Sequence, residues 1–458
     1  MSSSSDKPTI LIVGAGLGGL MHGALLEKSG VPYQIFERAA AVKPLGSALA
    51  VGPTLLPVFQ QLGIYDELVS IGKYFTQIMG YKESLELMRP LDFKCLEEFT
   101  GYEQYIVDRP KLYELMLNQV PAHKIHFGHR VLNIHEEDDK VTIHLSNNDT
   151  VEGDVVVGAD GAYSAVRQRM YEQLKAEGNL PKSDQEELPF SCTCLVGQTG
   201  ILDPKEFPVI DLPKCHFTTV HGADKPYTWH TFNTSQGSLC WMVIHHLSEK
   251  TSKAAMEQRF RNNDNSEWGA YPAKTMCEET RSFPIELLDG KKRTLGDLYD
   301  QTPKEFISKV MLEEKVFKTW YHKRFVLMGD GAVTAMHDAI ALANLFYAMP
   351  AKTSEDVTKI FEQYQMERLP AVTESFNNSR QLAKISEKGF VGSLILYLST
   401  HMPIWLWRLG LAKTVRFRPQ VGFIKAIEPK GTIMPEPSIS EQLARAIFEK
   451  QQQEASSN

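Results

Sequence analysis

The stretch from Thr9 to Arg38 reads TILIVGAGLGGLMHGALLEKSGVPYQIFER, and few folds can accommodate it. Ile10 to Val13 is an unbroken apolar run, the pattern of a strand buried on both faces. Gly14, Gly16 and Gly19 then set out G-x-G-x-x-G, and Leu20 to Lys28 continues as a helix. A second strand, Tyr33 to Phe36, ends at Glu37, eighteen residues after Gly19. Gly14 supplies the tight turn, Gly16 lets the main chain approach a pyrophosphate, and Gly19 lets helix and strand pack closely. The first turn of the helix offers unpaired N–H groups to anionic oxygens. Glu37 can accept hydrogen bonds from both ribose hydroxyls, and Arg38 beside it belongs with the cofactor-binding positions. An acid at Glu37 disfavours a 2′-phosphate. The pattern therefore predicts a dinucleotide at this first site without separating FAD from NAD.

With 458 residues the chain is long enough for two or three cores. Its net charge of −7 includes no basic block, which speaks against a nucleic-acid partner. The six cysteines form no C-x-x-C pair and have no histidine spacing suited to zinc. That usage, and a polar start (MSSSSDKPT) without an apolar signal core, predict an intracellular and reducing setting. From Phe390 to Leu411 an apolar stretch of 22 residues carries one fixed charge, Arg408. Three readings stay open for it: helices on a membrane surface, helices packed on the protein's own core, or a span. His401, Pro403 and Arg408 disfavour the span, whereas the flanking lysines and arginines suit an interfacial anchor.

Three further pieces follow in chain order. Arg109, in EQYIVDRPKLYELML, stands just before an amphipathic helix, from which it could reach a phosphate or lie in solvent. Val155 to Val157 closes a strand at Gly158-Ala159-Asp160-Gly161, where an α/β sheet binds ligands or simply turns. Phe325 to Met328 reads as another buried strand, ending at Gly329-Asp330-Gly331, with a helix from Ala335 to Met349.

Taken together, these segments resemble the group A flavoprotein monooxygenases of the para-hydroxybenzoate hydroxylase fold. The closest likeness is to the fungal FAD-dependent monooxygenases of the paxilline-pathway type. The likeness runs from about Thr9 to Arg380 through PLGSALAVGPTLLPVFQQLG, VDRPKLYELML, VGADGAYSAVR, MGD and HDAIALA. It implies an α/β, mixed α+β architecture: a Rossmann-like FAD-binding domain, an inserted, mainly antiparallel β substrate domain and a C-terminal helical region. The first would take residues 9–75, 100–175 and 285–350, and the second 76–99 and 176–284. A helix over 351–388, apolar helices over 389–430 and a polar tail over 431–458 complete the reading.

By the same resemblance Gly14, Gly16, Gly19 and Glu37 hold the ADP half of FAD, with Ala50 lining the cofactor and Arg109 touching it. Asp160 and Gly161 serve FAD and the approaching nicotinamide, and Asp330, with Gly331, bonds the ribityl chain. Relatives carry G-D-x-x-H-x-x-x-P-x-x-G-x-G before this last helix. Here Gly329-Asp330 runs straight into GAVTAMHDA. A true deletion and a reading frame that lost a short in-frame stretch both account for this, and the resumption in register favours the second.

In the middle of the chain, Phe190 to Gly200, Cys215 to Val220 and Tyr227 to Leu247 alternate like strands, and the resemblance makes this sheet the roof of the substrate pocket. Cys192, His230, Trp241 and His245 are its candidate ligand-facing residues, although such side chains are commonly structural. Thr294 to Tyr321 reads as mostly helical. The expected activity is a monooxygenase using FAD, NAD(P)H as transient co-substrate and O2 to hydroxylate or epoxidise an apolar aromatic or terpenoid-like molecule. A flavin reductase or dehydrogenase on the same fold, and a non-catalytic flavin-binding protein, are the alternatives.

Overall fold

Three apolar runs, Ile10–Val13, Val155–Gly158 and Phe325–Leu327, lie side by side as parallel strands at the heart of one sheet. The computed structural model describes residues 7–41, 48–137, 139–186, 188, 190–247, 267–268, 270–313, 315–385 and 401–457. From edge to edge this six-stranded sheet runs Tyr321–His322, Phe325–Leu327, Val155–Gly158, Ile10–Val13, Tyr33–Glu37 and Ile125–Phe127. Only the first pair is antiparallel. Both faces are covered, which is why the strands are apolar without alternation. Ile10 and Ile12 pack with the helices Leu17–Ser29 and Ala332–Ala348, whereas Leu11 and Val13 join Val131, Ile134, Val141 and Ile143 of a hairpin sheet.

His22 is fully buried between these two helices, its Nδ1 3.3 Å from the Ala339 carbonyl and its ring 5.8 Å from Phe346. Burial lowers its pKa from 6.5 to about 4. The folded protein therefore resists a proton that the unfolded chain accepts, so stability holds above pH 6.5 and falls as the pH drops toward 4. At pH 5 this histidine's share of the loss is about 2 kcal/mol. The expected result is that His22→Leu flattens the fall in urea midpoint between pH 7 and pH 5; an unchanged slope would assign the acid sensitivity elsewhere.

The second large element is an eight-stranded sheet. Its order is Glu267–Trp268, Ser308–Glu313, Phe190–Gln198, Leu239–His246, Tyr227–Asn233, Phe217–His221, Gln77–Lys82 and Leu91–Asp92. One face packs on the helices Ala270–Thr280 and Leu295–Asp300 through Leu195, Trp229, Trp241, Val243, Met276 and Leu298. The other faces a small three-stranded sheet of Ala48–Val51, Tyr105–Asp108 and Gly72–Tyr74, with Ile106 and Ala48 packed against Phe232, Cys240 and Phe217.

Two expectations need correcting. Among the described residues between Thr294 and Tyr321, only Leu295–Asp300 and a short 3-10 turn are helical. Ser308–Glu313 is instead a strand of the eight-stranded sheet, outside the dinucleotide-binding unit in which the sequence reading placed it. Its alternation, with Ser308, Val310 and Leu312 on one side, serves a partner more than a hundred residues away, and such pairing overrides local propensity.

Helix Ser354–Ile385 crosses behind Ala332–Ala348, and the tail ends in a helix, Ile439–Ser457, packed on the same element. The first part of the apolar stretch at 390–411 lies outside the described residues. Its remainder enters helix Ile404–Thr414, held to the body by Trp407 Nε1 donating to Asp92 O and by an Arg408–Glu98 pair at 2.7 Å. Ile404, Trp405 and Leu409 point outward, about two-thirds exposed. Among the described residues no helix is long and apolar enough to cross a membrane.

Candidate functional site: a dinucleotide crevice

The strand ends at Val13, Glu37, Gly158 and Leu327 open on one edge of the six-stranded sheet, as the sequence places them. Gly14 adopts φ +106°, and a Cβ there would lie 2.4 Å from the Ala159 carbonyl oxygen. A Cβ on Gly19 would lie 2.1 Å from the Gly14 carbonyl oxygen, so the helix can rest on the turn only without one. Gly16 differs: among the described residues, and apart from its own chain neighbours, nothing stands within 4 Å of a Cβ built there. It faces a crevice of about 410 Å³ lined by Gly14, Gly16, Glu37, Arg38, Arg109, Asp160, Gly161 and Asp330, among others.

Both oxygens of Glu37 are held by main chain. Ala15 N–H donates to Oε2 and Ala39 N–H to Oε1, each at 2.9 Å. A carboxylate fixed this way keeps lone pairs for two ligand hydroxyls at the rim of the crevice. Arg109 opens its helix, Arg109–Leu117, and its side chain enters the crevice; the enclosing protein lowers its pKa. Asp160 accepts from Ala165 N–H at 2.6 Å through Oδ2, while its buried Oδ1 has no hydrogen-bond partner among the described residues. Burial raises the Asp160 pKa, against the lowering effect of Ser164 and the nearby amides. Asp330 projects where this crevice meets a second cavity of about 280 Å³, which Gly331 also lines. Burial raises its pKa too, offset by its own amide, Arg167 and the Gly331 amide.

The short connection after Leu327 is a closed turn. Gly329 N–H donates to Asp338 Oδ2 at 2.8 Å, and Ala335 N–H donates to Gly331 O at 2.7 Å to begin the helix. Asp338 in turn takes Arg368 Nε at 2.7 Å, both side chains being almost wholly buried. Sequence reasoning quoted Asp338 within HDAIALA without giving it a role; its partner sits 30 positions away on another helix. It also missed His129 and Arg130, which line the crevice beside Glu37, the His129 N–H donating to Glu37 O at 2.9 Å. Their signal was their place just past the carboxyl end of the edge parallel strand, Ile125–Phe127.

Ala50 is exposed on its strand and lines neither of the two cavities. Trp241 leaves the set of pocket candidates: it faces the covering helices, its Nε1 donating to Thr302 Oγ1 at 2.9 Å. His245 shares that side, stacked on Tyr227 at 4.4 Å. Cys192 and His230 lie on the opposite face, because side chains alternate along each strand. Among the described residues no group of three or more His, Cys, Asp or Glu could hold a metal ion.

The crevice suits the adenosine diphosphate half of FAD: open main chain at Gly16, a fixed carboxylate at Glu37, a cation at Arg109 and an unsatisfied acceptor on Asp160. The description "FAD binding domain" matches residues 7–188. The FAD-dependent monooxygenase atmM of Aspergillus flavus is 25% identical over 456 residues, covering 92% of this chain and 87% of that one. The FAD-dependent monooxygenase paxM of Penicillium paxilli is 27% identical over 412 residues, covering 84% and 80%. Among solved structures, HpxO of Klebsiella pneumoniae complexed with FAD and uric acid superposes with a TM-score of 0.68 at 19% identity, covering 89% of this chain and 96% of that chain. CtdE in complex with FAD and substrate does so with a TM-score of 0.65 at 15% identity, covering 98% and 100%. Both share the fold. The chain carries an FAD binding domain over residues 7–188 and is similar over most of its length to fungal FAD-dependent monooxygenases, oxidoreductases whose chemistry rests on FAD.

Proposed function

We propose that the protein uses NAD(P)H and O2 to hydroxylate or epoxidise an apolar aromatic or terpenoid-like substrate. When bound, FAD supplies hydride acceptance from the nicotinamide and activation of O2. Glu37 binds the ribose hydroxyls, Arg109 neutralises phosphate charge, and Asp330 orients the ribityl chain. Asp160 and Gly161 shape the place where the nicotinamide comes close. The inner face of the eight-stranded sheet excludes water and holds the substrate. The observation that carries the reading is the Glu37 carboxylate, pinned by two amides at the end of the second strand, facing an open Gly16. The apolar outer side of helix Ile404–Thr414 supports contact with a membrane surface, where such substrates concentrate.

The test is a purified holoprotein, yellow with FAD, whose NAD(P)H oxidation and O2 consumption rise when apolar substrates are added and yield oxygenated product. Colourless protein that refuses FAD, or flavoprotein inert to NAD(P)H with every such substrate, would defeat the reading. The message across the codons for Asp330 and Gly331 is expected to carry additional in-frame sequence; an unchanged message would make the short turn the native cofactor seat.

A further inference from the structure

Along Leu239–His246 exposure alternates. Trp241 and Val243 are buried against helices, whereas Met242, Ile244 and His246 are partly accessible on the inner face. His230 and Phe217 repeat the pattern on the neighbouring strands. The inner face is therefore closed at one end, where Phe232, Phe217 and Cys240 pack with Ile106, and only partly covered at Met242, Ile244 and His246. From Cys240 to His246 the strand rises six residues, roughly 20 Å, enough for a ligand of several rings or isoprene units.

This partly covered face has an uneven chemistry. Met242, Ile244, Val196 and Val310 are apolar. Toward the far end, His230, His221 and His246 gather around Thr219 and Thr228. Thr219 Oγ1 lies 2.9 Å from His230 Nδ1, and Thr228 Oγ1 lies 3.1 Å from His246 Nε2. Among the described residues no hydrogen bond engages His230 Nε2. Burial and mutual proximity hold these rings neutral, with pKa values of about 3 for His230 and about 4 for His246. A neutral imidazole keeps one donor and one acceptor. Because the Thr219 hydroxyl can give or take a proton, the His230 tautomer can adjust, leaving Nε2 to donate to a carbonyl or accept from a hydroxyl. Among the described residues no charged side chain is paired with His230, so a charged ligand group held there would lose its hydration without compensation.

We infer that His230, assisted by His221 and His246, is the specificity-determining polar anchor of the substrate site, holding a neutral hydroxyl or carbonyl oxygen at one end of an otherwise apolar ligand. This rests on the reading that the space under the sheet receives the substrate. The test uses the holoprotein and two probes of one skeleton, farnesol and the hydrocarbon β-farnesene, titrated by calorimetry. Wild type is expected to favour farnesol about tenfold. His230→Phe should erase that preference while leaving β-farnesene within about twofold, and His230→Gln should restore part of it, as a merely structural histidine would not. Trp241→Phe, on the covered face, should leave the preference untouched. An undiminished preference in His230→Phe, equal loss of both probes, or no preference in wild type would overturn the anchor. His246→Phe is the second variant should His230→Phe fail to fold, with the same expected loss. Flavin absorbance of the same samples separates the two claims: protein without flavin refutes the proposed function, whereas flavin-loaded protein without the preference refutes only the anchor.

Discussion

Gly16→Val is expected to yield a folded protein that no longer binds FAD. Gly16 has φ −71° and ψ 179°, an extended conformation that a β-branched residue adopts readily. A Cβ there meets nothing within 4 Å among the described residues beyond its chain neighbours, so the substitution should change global stability by less than about 1 kcal/mol. The added methyl groups would stand in the crevice, where the pyrophosphate is to approach the main chain. Loss of that approach is expected to weaken FAD at least about 100-fold, or about 2.7 kcal/mol. Circular dichroism and urea unfolding should match wild type while the flavin titration fails. Gly14→Ala is the contrasting case. Its positive φ and its 2.4 Å approach to Ala159 O put the damage in the fold itself. Equal flavin affinity in wild type and Gly16→Val would take the pyrophosphate away from this turn.

The second large effect is expected from Arg368→Leu. Asp338 and Arg368 are 1% and 2% exposed in their side chains and 2.7 Å apart. Removing the cation leaves a buried carboxylate with neutral partners, the Gly329 amide and the Tyr364 hydroxyl, and such a loss costs roughly 3–5 kcal/mol. Arg368 also lies 5.2 Å from the Phe417 ring centre, and that contact goes with it. The effect should reach the cofactor, because Asp338 fixes Gly329 and so the position of Asp330. Denaturant unfolding should show the fall in stability, and flavin affinity should drop in the protein that remains folded. The double variant Asp338→Leu, Arg368→Leu should recover part of the stability and none of the flavin affinity. A single variant as stable as wild type would show that the pair is not buried in solution.

The dinucleotide half of the site was legible because it depends on neighbours in the chain. Glycine spacing, an apolar strand and an acid at the next strand's end are read within 30 residues, and the main chain then folds as that pattern requires. Asp160 and Asp330 were legible for the same reason: each ends a continuous apolar run, and parallel strands bring such ends to one edge.

Elsewhere local pattern was insufficient. Trp241 and His230 both sit in alternating strands, and nothing nearby says which alternate face meets a helix and which meets the cofactor unit. That was decided by the register of Leu239–His246 against its two neighbours and by the helices that cover one side. Ser308–Glu313 became a strand because Phe190–Gln198 offered it an edge. The sequence by itself determined a dinucleotide edge, since turns and strand ends are set by short-range sterics. Only the tertiary structure decided which side chains look inward and which buried pair steadies Asp330, since packing between distant segments has no local signature.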